Sequence, residues 1–427
     1  MASKKFLVFK FGGASVKSSE GVVNLAEIVK SIENPLVVVV SAMGKTTNAL
    51  EKILALYLNN SSEIKSALNE LKLYHLAIVN GLYGNANVAK VEVVEDEFRK
   101  LELILSKPKQ GDYNYCYDQI VSFGEIISTK IISEYLNESN IKNCWVDCRD
   151  VLRTDENFRE GNVDYEKSLL RSKVAFDEND SNNGLFITQG FIGGSENGNT
   201  TTLGREGSDY TAAILANLLD AESVTIWKDV EGVLNADPRI FANAVKLDEV
   251  SFKEAIELAY CGAQIIHPKT IKPLQNKQIS LFVKSFEKPF AKGTQIYQTD
   301  NRIEYPPILI LKSKQVLISL SPRDFSFVIE DCLSRIFAVL YQFRVKANLI
   351  QSSAINFSIC VDDEPHFLPK AVEELSKVFA VRYNSGMELL TIRHYDDSII
   401  ESEINTKTVF LTQKTRSTIR VVYKLEV

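Results

Sequence analysis

The run Leu36–Val40, Leu-Val-Val-Val-Val, constrains the fold more than any other feature, because it is apolar at every position instead of every second one. A strand with one solvated face alternates in polarity. A strand buried on both faces does not, and such strands belong to parallel sheets covered by helices on each side. The run has companions between Lys5 and about Gln298: FLVFKF, PLVVVVSA, GLFITQGFIG and SVTIW, with stretches of helical period at Glu20 to Ile32, Ala49 onward, Tyr210 to Leu219 and Phe252 to Ala259. Strand alternating with helix predicts an α/β fold, a mostly parallel sheet sandwiched by helices. Ligands of such sheets bind beyond the carboxyl ends of the strands, so the loops after each run are where chemistry is expected.

Near residue 300 the pattern breaks at NRIEYPPI, where Pro306 and Pro307 enforce extended backbone and exclude helix or central strand. A first domain over 1–300 and a second region over 308–427 follow. In the second, strand-like ILILK and VLISL precede a helix from about Phe327 to Phe343, strands NLIQSS and INFSICV, and a helix from about Leu368 to Val378. The strands ELLTIRHY, KTVFLTQ and TIRVVYKL then complete a smaller α+β unit of antiparallel character. The polar stretch Asp177 to Asn183 reads as a loop.

A length of 427 residues at roughly 150 per domain suffices for two or three buried cores without disulfides or a metal. The formal charge of −6 advertises no nucleic acid, and no apolar run approaches the ~20 residues of a membrane span. Six scattered cysteines, the closest pair spaced C-x-x-x-C without a nearby histidine, fit buried thiols in a reducing compartment; the expected location is the cytoplasm.

Five loops carry residues suited to chemistry. After FLVFKF come Gly12 and Gly13, with Lys10 at the strand's end; this is either a tight strand-to-helix turn or a phosphate cradle of bare amides. The Walker spacing is missing, which disfavours a P-loop NTPase. After VVVV comes Ser41-Ala-Met-Gly-Lys-Thr-Thr47-Asn, whose hydroxyls either cap a helix through Thr46 or Thr47 or orient a small polar substrate. Ser122-Phe-Gly-Glu125 opens a helix, where Glu125 either complements the helix dipole or holds an ammonium group. TTLGREGSDYTAA brings Arg205, Ser208 and Asp209 to a helix start; Asp209 is an N-cap or part of an anion site in which Arg205 grips a carboxylate in bidentate fashion. Lys228, Asp229, Leu234 and Arg239 lie in KDVEGVLNADPR, where Asp237-Pro238 favours a turn and Arg239 has the reach for a phosphate.

These five loops in this order, followed by GAQIIHP with Gln264, resemble aspartate kinase of the amino-acid kinase family, over nearly the whole of residues 5 to 300. The later unit, with its β-α-β-β-α-β order, looks like the ACT module at the C-terminus of such kinases. The resemblance implies transfer of the γ-phosphoryl group of ATP, with Mg²⁺, to the side-chain carboxylate of L-aspartate, giving 4-phospho-L-aspartate, the first step toward lysine, threonine and methionine. It implies Lys10 stabilising the transferring group, Gly12 and Gly13 offering amides, and Asp209 orienting the cationic groups. Ser41, Thr47, Glu125, Arg205 and Ser208 would hold aspartate, with Glu125 at its ammonium and Arg205 at its α-carboxylate. Lys228, Asp229, Leu234, Arg239 and Gln264 would lie on the nucleotide side. A carboxylate nucleophile is ionised at neutral pH and needs no general base, which suits a chain with four histidines.

The chain departs from the family pattern at Glu206, where glycine is usual, and at Lys228, Leu234 and Gln264, where threonine, an aromatic residue and lysine are usual. Family kinases commonly carry two ACT modules; here one complete module and one reduced companion are expected. Lysine-inhibited relatives carry acidic residues where Asn348 and Ala354 stand, so weak or absent lysine inhibition is expected. Apolar edge strands in this region imply a homodimer, and the length leaves no room for a fused homoserine dehydrogenase. Two other readings remain open: a catalytically weak paralogue acting as an amino-acid-sensing or dimerisation partner, and another kinase of the fold acting on glutamate or N-acetylglutamate.

Overall fold

The structure, a computed structural model, describes residues 4–84, 88–177, 184–263, 266–324, 327–405 and 407–424. Gln264 and most of the polar stretch 177–183 therefore lie outside the described residues. The chain divides into two compact units. The first comprises Met1–Val233, Lys246–Ile256 and Ile265–Arg302; the second comprises Leu234–Val245, Glu257–Gln264 and Ile303–Val427.

The first unit is built on an eight-stranded sheet: β1 (Leu7–Phe11), β2 (Leu36–Val40), β3 (Cys144–Val146), β4 (Leu185–Gln189), β5 (Ser223–Lys228), β6 (Glu249–Ser251), β7 (Ser280–Ser285) and β8 (Thr294–Tyr297). Their order across the sheet is β6-β8-β7-β5-β1-β2-β4-β3. All pairs are parallel except β7 with β8. All five residues of β2 are buried, as the unbroken apolar run requires of a central strand with helices on both faces. Helix Ser19–Lys30 starts where the Ser18 hydroxyl accepts the Gly21 amide and buries Val22, Leu25, Ala26, Ile28 and Val29. The helical stretch expected from Ala49 onward is four helices, Thr46–Leu58, Ile64–Tyr83, Val88–Ser106 and Tyr113–Val121, and the helix expected to open at Ser122 is Phe123–Glu138. A small second sheet joins Arg153–Thr154, Ile192–Ser195 and Thr200–Thr202.

Neither capping alternative is realised. The N-cap of Thr46–Leu58 is Lys45, whose ammonium has no acceptor to offer a backbone amide, and the Thr46 hydroxyl donates to Met43 O at 2.7 Å. The N-cap of Gly207–Leu218 is Glu206, in left-handed conformation; Asp209 sits inside the first turn.

The second unit carries a six-stranded antiparallel sheet in the order Ala347–Ser352, Phe357–Asp362, Ile308–Pro322, Phe379–Arg393, Thr418–Lys424, Thr408–Lys414. ILILK and VLISL, expected as two strands, form one 15-residue strand, Ile308–Pro322, whose pairing shifts register between Lys312 and Leu317. Helices Glu330–Gln342 and Leu368–Ser376 cover one half of the sheet around Ile318, Leu320, Ile336 and Ile359. The other half is covered by helix Asp397–Ile404, capped by Asp396, which the sequence reading did not anticipate. The two short segments join this unit through local bonds: Asn235 Nδ2 donates to Pro307 O at 2.8 Å, and Arg393 pairs with Glu257 at 3.3 Å.

Candidate active site

Lys10 lies one residue from the end of β1, in register with Val39 and Ile226, so strands on both sides fix its backbone. Beyond β1 the chain turns at Gly12 and Gly13, and beyond β2 at Ser41. The two turns are stitched together: Ser41 N donates to Phe11 O at 3.1 Å and Gly44 N to Gly13 O at 2.9 Å. The approach is so close that a Cβ on Gly13 would lie inside contact distance of Ala42 O and 3.2 Å from Gly44 O. Only glycine fits there. The crossing of these loops forms the floor of a cavity of about 650 Å³ at the carboxyl ends of the strands.

The Lys10 ammonium stands 2.7 Å from Asp209 Oδ1, both side chains largely buried, without the alignment of a hydrogen bond. Asp209 belongs to the first turn of Gly207–Leu218, whose positive end favours its charge. The pair holds a cation at the cavity floor, oriented by a carboxylate at a helix terminus.

Glu125 reaches the cavity from the first turn of Phe123–Glu138 and is 3% exposed. Its Oε1 accepts the Ala42 amide at 3.3 Å, and Oε2 has no hydrogen-bond partner among the described residues. Burial pushes its carboxyl up to about 8, against the smaller opposing pulls of the Ala42 amide and the Lys10 charge. A buried carboxyl with a free oxygen facing a cavity is a receptor for an ammonium group: alone it stays protonated, and an arriving cation favours the carboxylate.

The cavity gathers Lys10, Gly12, Gly13, Ser41, Thr47, Glu125, Arg205, Ser208, Asp209, Lys228 and Asp229 from five sequence-distant segments. Leu234 and Arg239 are not among its lining residues. Both belong to the second unit, where the Arg239 guanidinium is engaged by Asp237 at 2.6 Å. The lining carries four basic side chains, Lys10, Arg159, Arg205 and Lys228, and four acidic ones, Glu125, Glu206, Asp209 and Asp229, of which Glu125 on its own stays protonated. Asp209 is committed to Lys10, and Glu206 Oε2 accepts the His267 amide at 2.9 Å. Glu206 thus ties the start of Gly207–Leu218 to that of Pro268–Asn276. Among the described residues no cluster of three His, Cys, Asp or Glu side chains can hold a metal ion.

Sequence reasoning missed Arg159, Tyr117, Phe191 and Trp227 in the lining. Trp227 ends SVTIW and was findable as a residue at a strand's carboxyl end. Arg159 sits in an irregular segment, DENFREG, with no periodic signal.

The amino acid kinase family profile matches residues 5–285. Lysine-sensitive aspartokinase 3 of Escherichia coli is 33% identical over 399 residues, covering 91% of this chain and 87% of the relative. Aspartokinase 1 of Arabidopsis thaliana chloroplasts is 31% identical, covering 90% and 70%. Among solved structures, E. coli aspartokinase III in complex with lysine and aspartate superposes with a TM-score of 0.80 at 29% identity, covering 98% of this chain and 95% of that one. The same enzyme in complex with aspartate and ADP gives 0.79 at 30% identity. The antiparallel second unit accordingly resembles the ACT-type region of these enzymes. No helix among the described residues is long and apolar enough to cross a membrane. Motifs, topology and full-length similarity together place the chain in the amino acid kinase family, among the aspartokinases.

Proposed function

We propose that the chain phosphorylates the side-chain carboxylate of L-aspartate with MgATP, giving 4-phospho-L-aspartate and ADP. The observation that carries this reading is the juxtaposition in one cavity of a buried Lys10–Asp209 pair and a buried, half-partnered Glu125. Glu125 takes the substrate ammonium, Arg205 the α-carboxylate, and Ser41, Thr47 and Ser208 offer hydroxyls to the remaining oxygens. The side-chain carboxylate is left pointing toward Lys10.

An oxygen of that carboxylate attacks the γ-phosphorus while the bond to the ADP oxygen breaks. The nucleophile is already an anion, so no proton is removed. The barrier is the approach of two negative groups, and the site lowers it by positioning and fixed charge. Lys10 neutralises charge on the transferring oxygens, and the amides of the Gly12–Gly13 turn receive phosphate oxygens. Mg²⁺ accompanying the nucleotide would supply further neutralisation. Asp209 holds the Lys10 ammonium in place, and Lys228 and Asp229, in the same lining, serve the nucleotide.

ADP release measured with aspartate, glutamate and no acceptor tests the assignment. Wild type should turn over with aspartate alone, and Lys10→Ala should lose at least about a thousandfold in kcat with its fold intact. Wild-type rates in Lys10→Ala would refute it.

Regulation is proposed to differ from that of lysine-sensitive relatives. Asn348 is buried and its amide is satisfied internally: Oδ1 accepts from Lys312 Nζ at 2.8 Å, and Nδ2 donates to Gln315 Oε1 at 2.8 Å and Asp362 Oδ1 at 2.9 Å. The chain's own ammonium thus occupies the acceptor that a carboxylate would offer an effector. The reading includes a homodimer through the second unit, supported by edge strands Ala347–Ser352 and Thr408–Lys414, which expose Ile350, Val409 and Phe410.

A further inference from the structure

We propose that Arg159 is a second carboxylate-receiving cation of this pocket, and that it sets the preference for an acceptor bearing an α-carboxylate. The inference rests on the aspartate reading and deepens it. Three observations carry it.

The first is backbone strain. Arg159 has φ of +71°, and two further non-glycine residues of the lining, Phe191 at +69° and Glu206 at +53°, share the left-handed region. Side chains rarely adopt it, and where they do the surroundings over-determine them, most often at ligand clamps. The cause at Arg159 is visible. Its amide donates to Asp118 Oδ2 at 2.9 Å, and Asp118, fully buried, also accepts Thr202 N at 2.8 Å and Thr202 Oγ1 at 2.7 Å. Gly161 N donates to Thr202 O at 2.9 Å. The turn is thereby fastened to the strand that leads into Arg205.

The second is side-chain placement. The guanidinium carbon lies 4.5 Å from the centroid of the Tyr117 ring and 5.6 Å from that of Tyr113. Tyr117 is itself held by its hydroxyl, which donates to Glu51 Oε1 at 2.9 Å. A guanidinium resting on aromatic faces keeps its edge, with its fork of N–H donors, free. The third is availability. Asp118 is occupied by neutral donors, and among the described residues the Arg159 guanidinium has no ion pair. An arginine that is immobilised, uncommitted and on a cavity wall is built to receive an oxyanion in bidentate fashion. Tyr117 feels the charge of Glu125 as well as that of Arg159, so the proposed ammonium receptor and this cation share one neighbourhood. An α-amino acid presents that pair of charges on a single carbon.

The test compares wild type with Arg159→Gly and Arg159→Lys, using L-aspartate and β-alanine, the acceptor that lacks only the α-carboxylate. Glycine suits the backbone at this position, so R159G should melt no lower than wild type. It should raise the KM for aspartate by about tenfold or more, leave the KM for MgATP unchanged, and shrink the discrimination between aspartate and β-alanine by the same factor. R159K, charged but lacking the fork, should fall between. An unchanged aspartate KM in R159G, or an equal rise in the KM for MgATP, overturns the proposal. Absence of wild-type turnover would instead sink the aspartate reading. Calorimetric titration of L-aspartate then decides this inference separately: loss of binding in R159G supports it, and equal binding, or none by wild type, overturns it.

Discussion

Glu125→Gln is the sharpest perturbation available, because it separates what the site costs the fold from what it gives the substrate. The folded carboxyl sits at about 8 against an ordinary 4.5, with burial as the leading cause. Between those values the native state holds a proton that the unfolded chain releases, so stability falls as pH rises through the interval. From about pH 5 to about pH 7 the loss is about two units at 1.36 kcal/mol each, or about 3 kcal/mol. Glutamine, the same size and without a proton to hold, is free of this loss. The stability of E125Q relative to wild type should therefore rise by about 3 kcal/mol over that range. Urea unfolding followed by tryptophan fluorescence reads the right unit, since the chain's two tryptophans, Trp145 and Trp227, both belong to the first. Aspartate should reverse the ranking. Its ammonium lets Glu125 ionise, so binding to wild type releases a proton near neutral pH, detectable as a buffer-dependent enthalpy, and stabilises wild type alone. Parallel pH profiles for E125Q and wild type would refute the assignment of the raised carboxyl, and equal stabilisation of both by aspartate would refute its role as ammonium receptor.

Two further outcomes are expected. Gly13→Ala should cost about 1–3 kcal/mol by overpacking and most of the activity, because the added Cβ drives into Ala42 O and parts the two loops; a structure of G13A with both loops unmoved would contradict this. Lysine at millimolar concentration should leave the initial rate unchanged in wild type, whereas strong inhibition would show that the Lys312–Asn348 bond yields to an external ammonium.

The strands of the first unit were legible because their burial is written into composition: LVVVV has no polar face to present to water. The five loops were legible because their glycines, hydroxyls and charges stand at strand ends. Other parts were not. The helices between Thr46 and Val121 merged into one periodic stretch, since apolar spacing marks a helix face and says little about where helices separate. A boundary near residue 300 was expected, whereas the attachment of Leu234–Val245 and Glu257–Gln264 to the second unit rests on tertiary bonds such as Asn235 to Pro307, which leave no periodic trace. Arg159 was invisible for a similar reason. Its importance comes from Asp118 and Tyr117, some forty residues earlier, holding its backbone and its face.

Strands Ile308–Pro322 and Phe379–Arg393 each run 15 residues and pair with each other along nearly their whole length, serving both helix-covered halves of the second sheet. The halves are consequently not beads on a string. A substitution that loosens the Ile336 cluster pulls on the same two backbones that support Leu390 and Ile392. The region should melt as a single cooperative body, since both clusters are anchored on the same two strands.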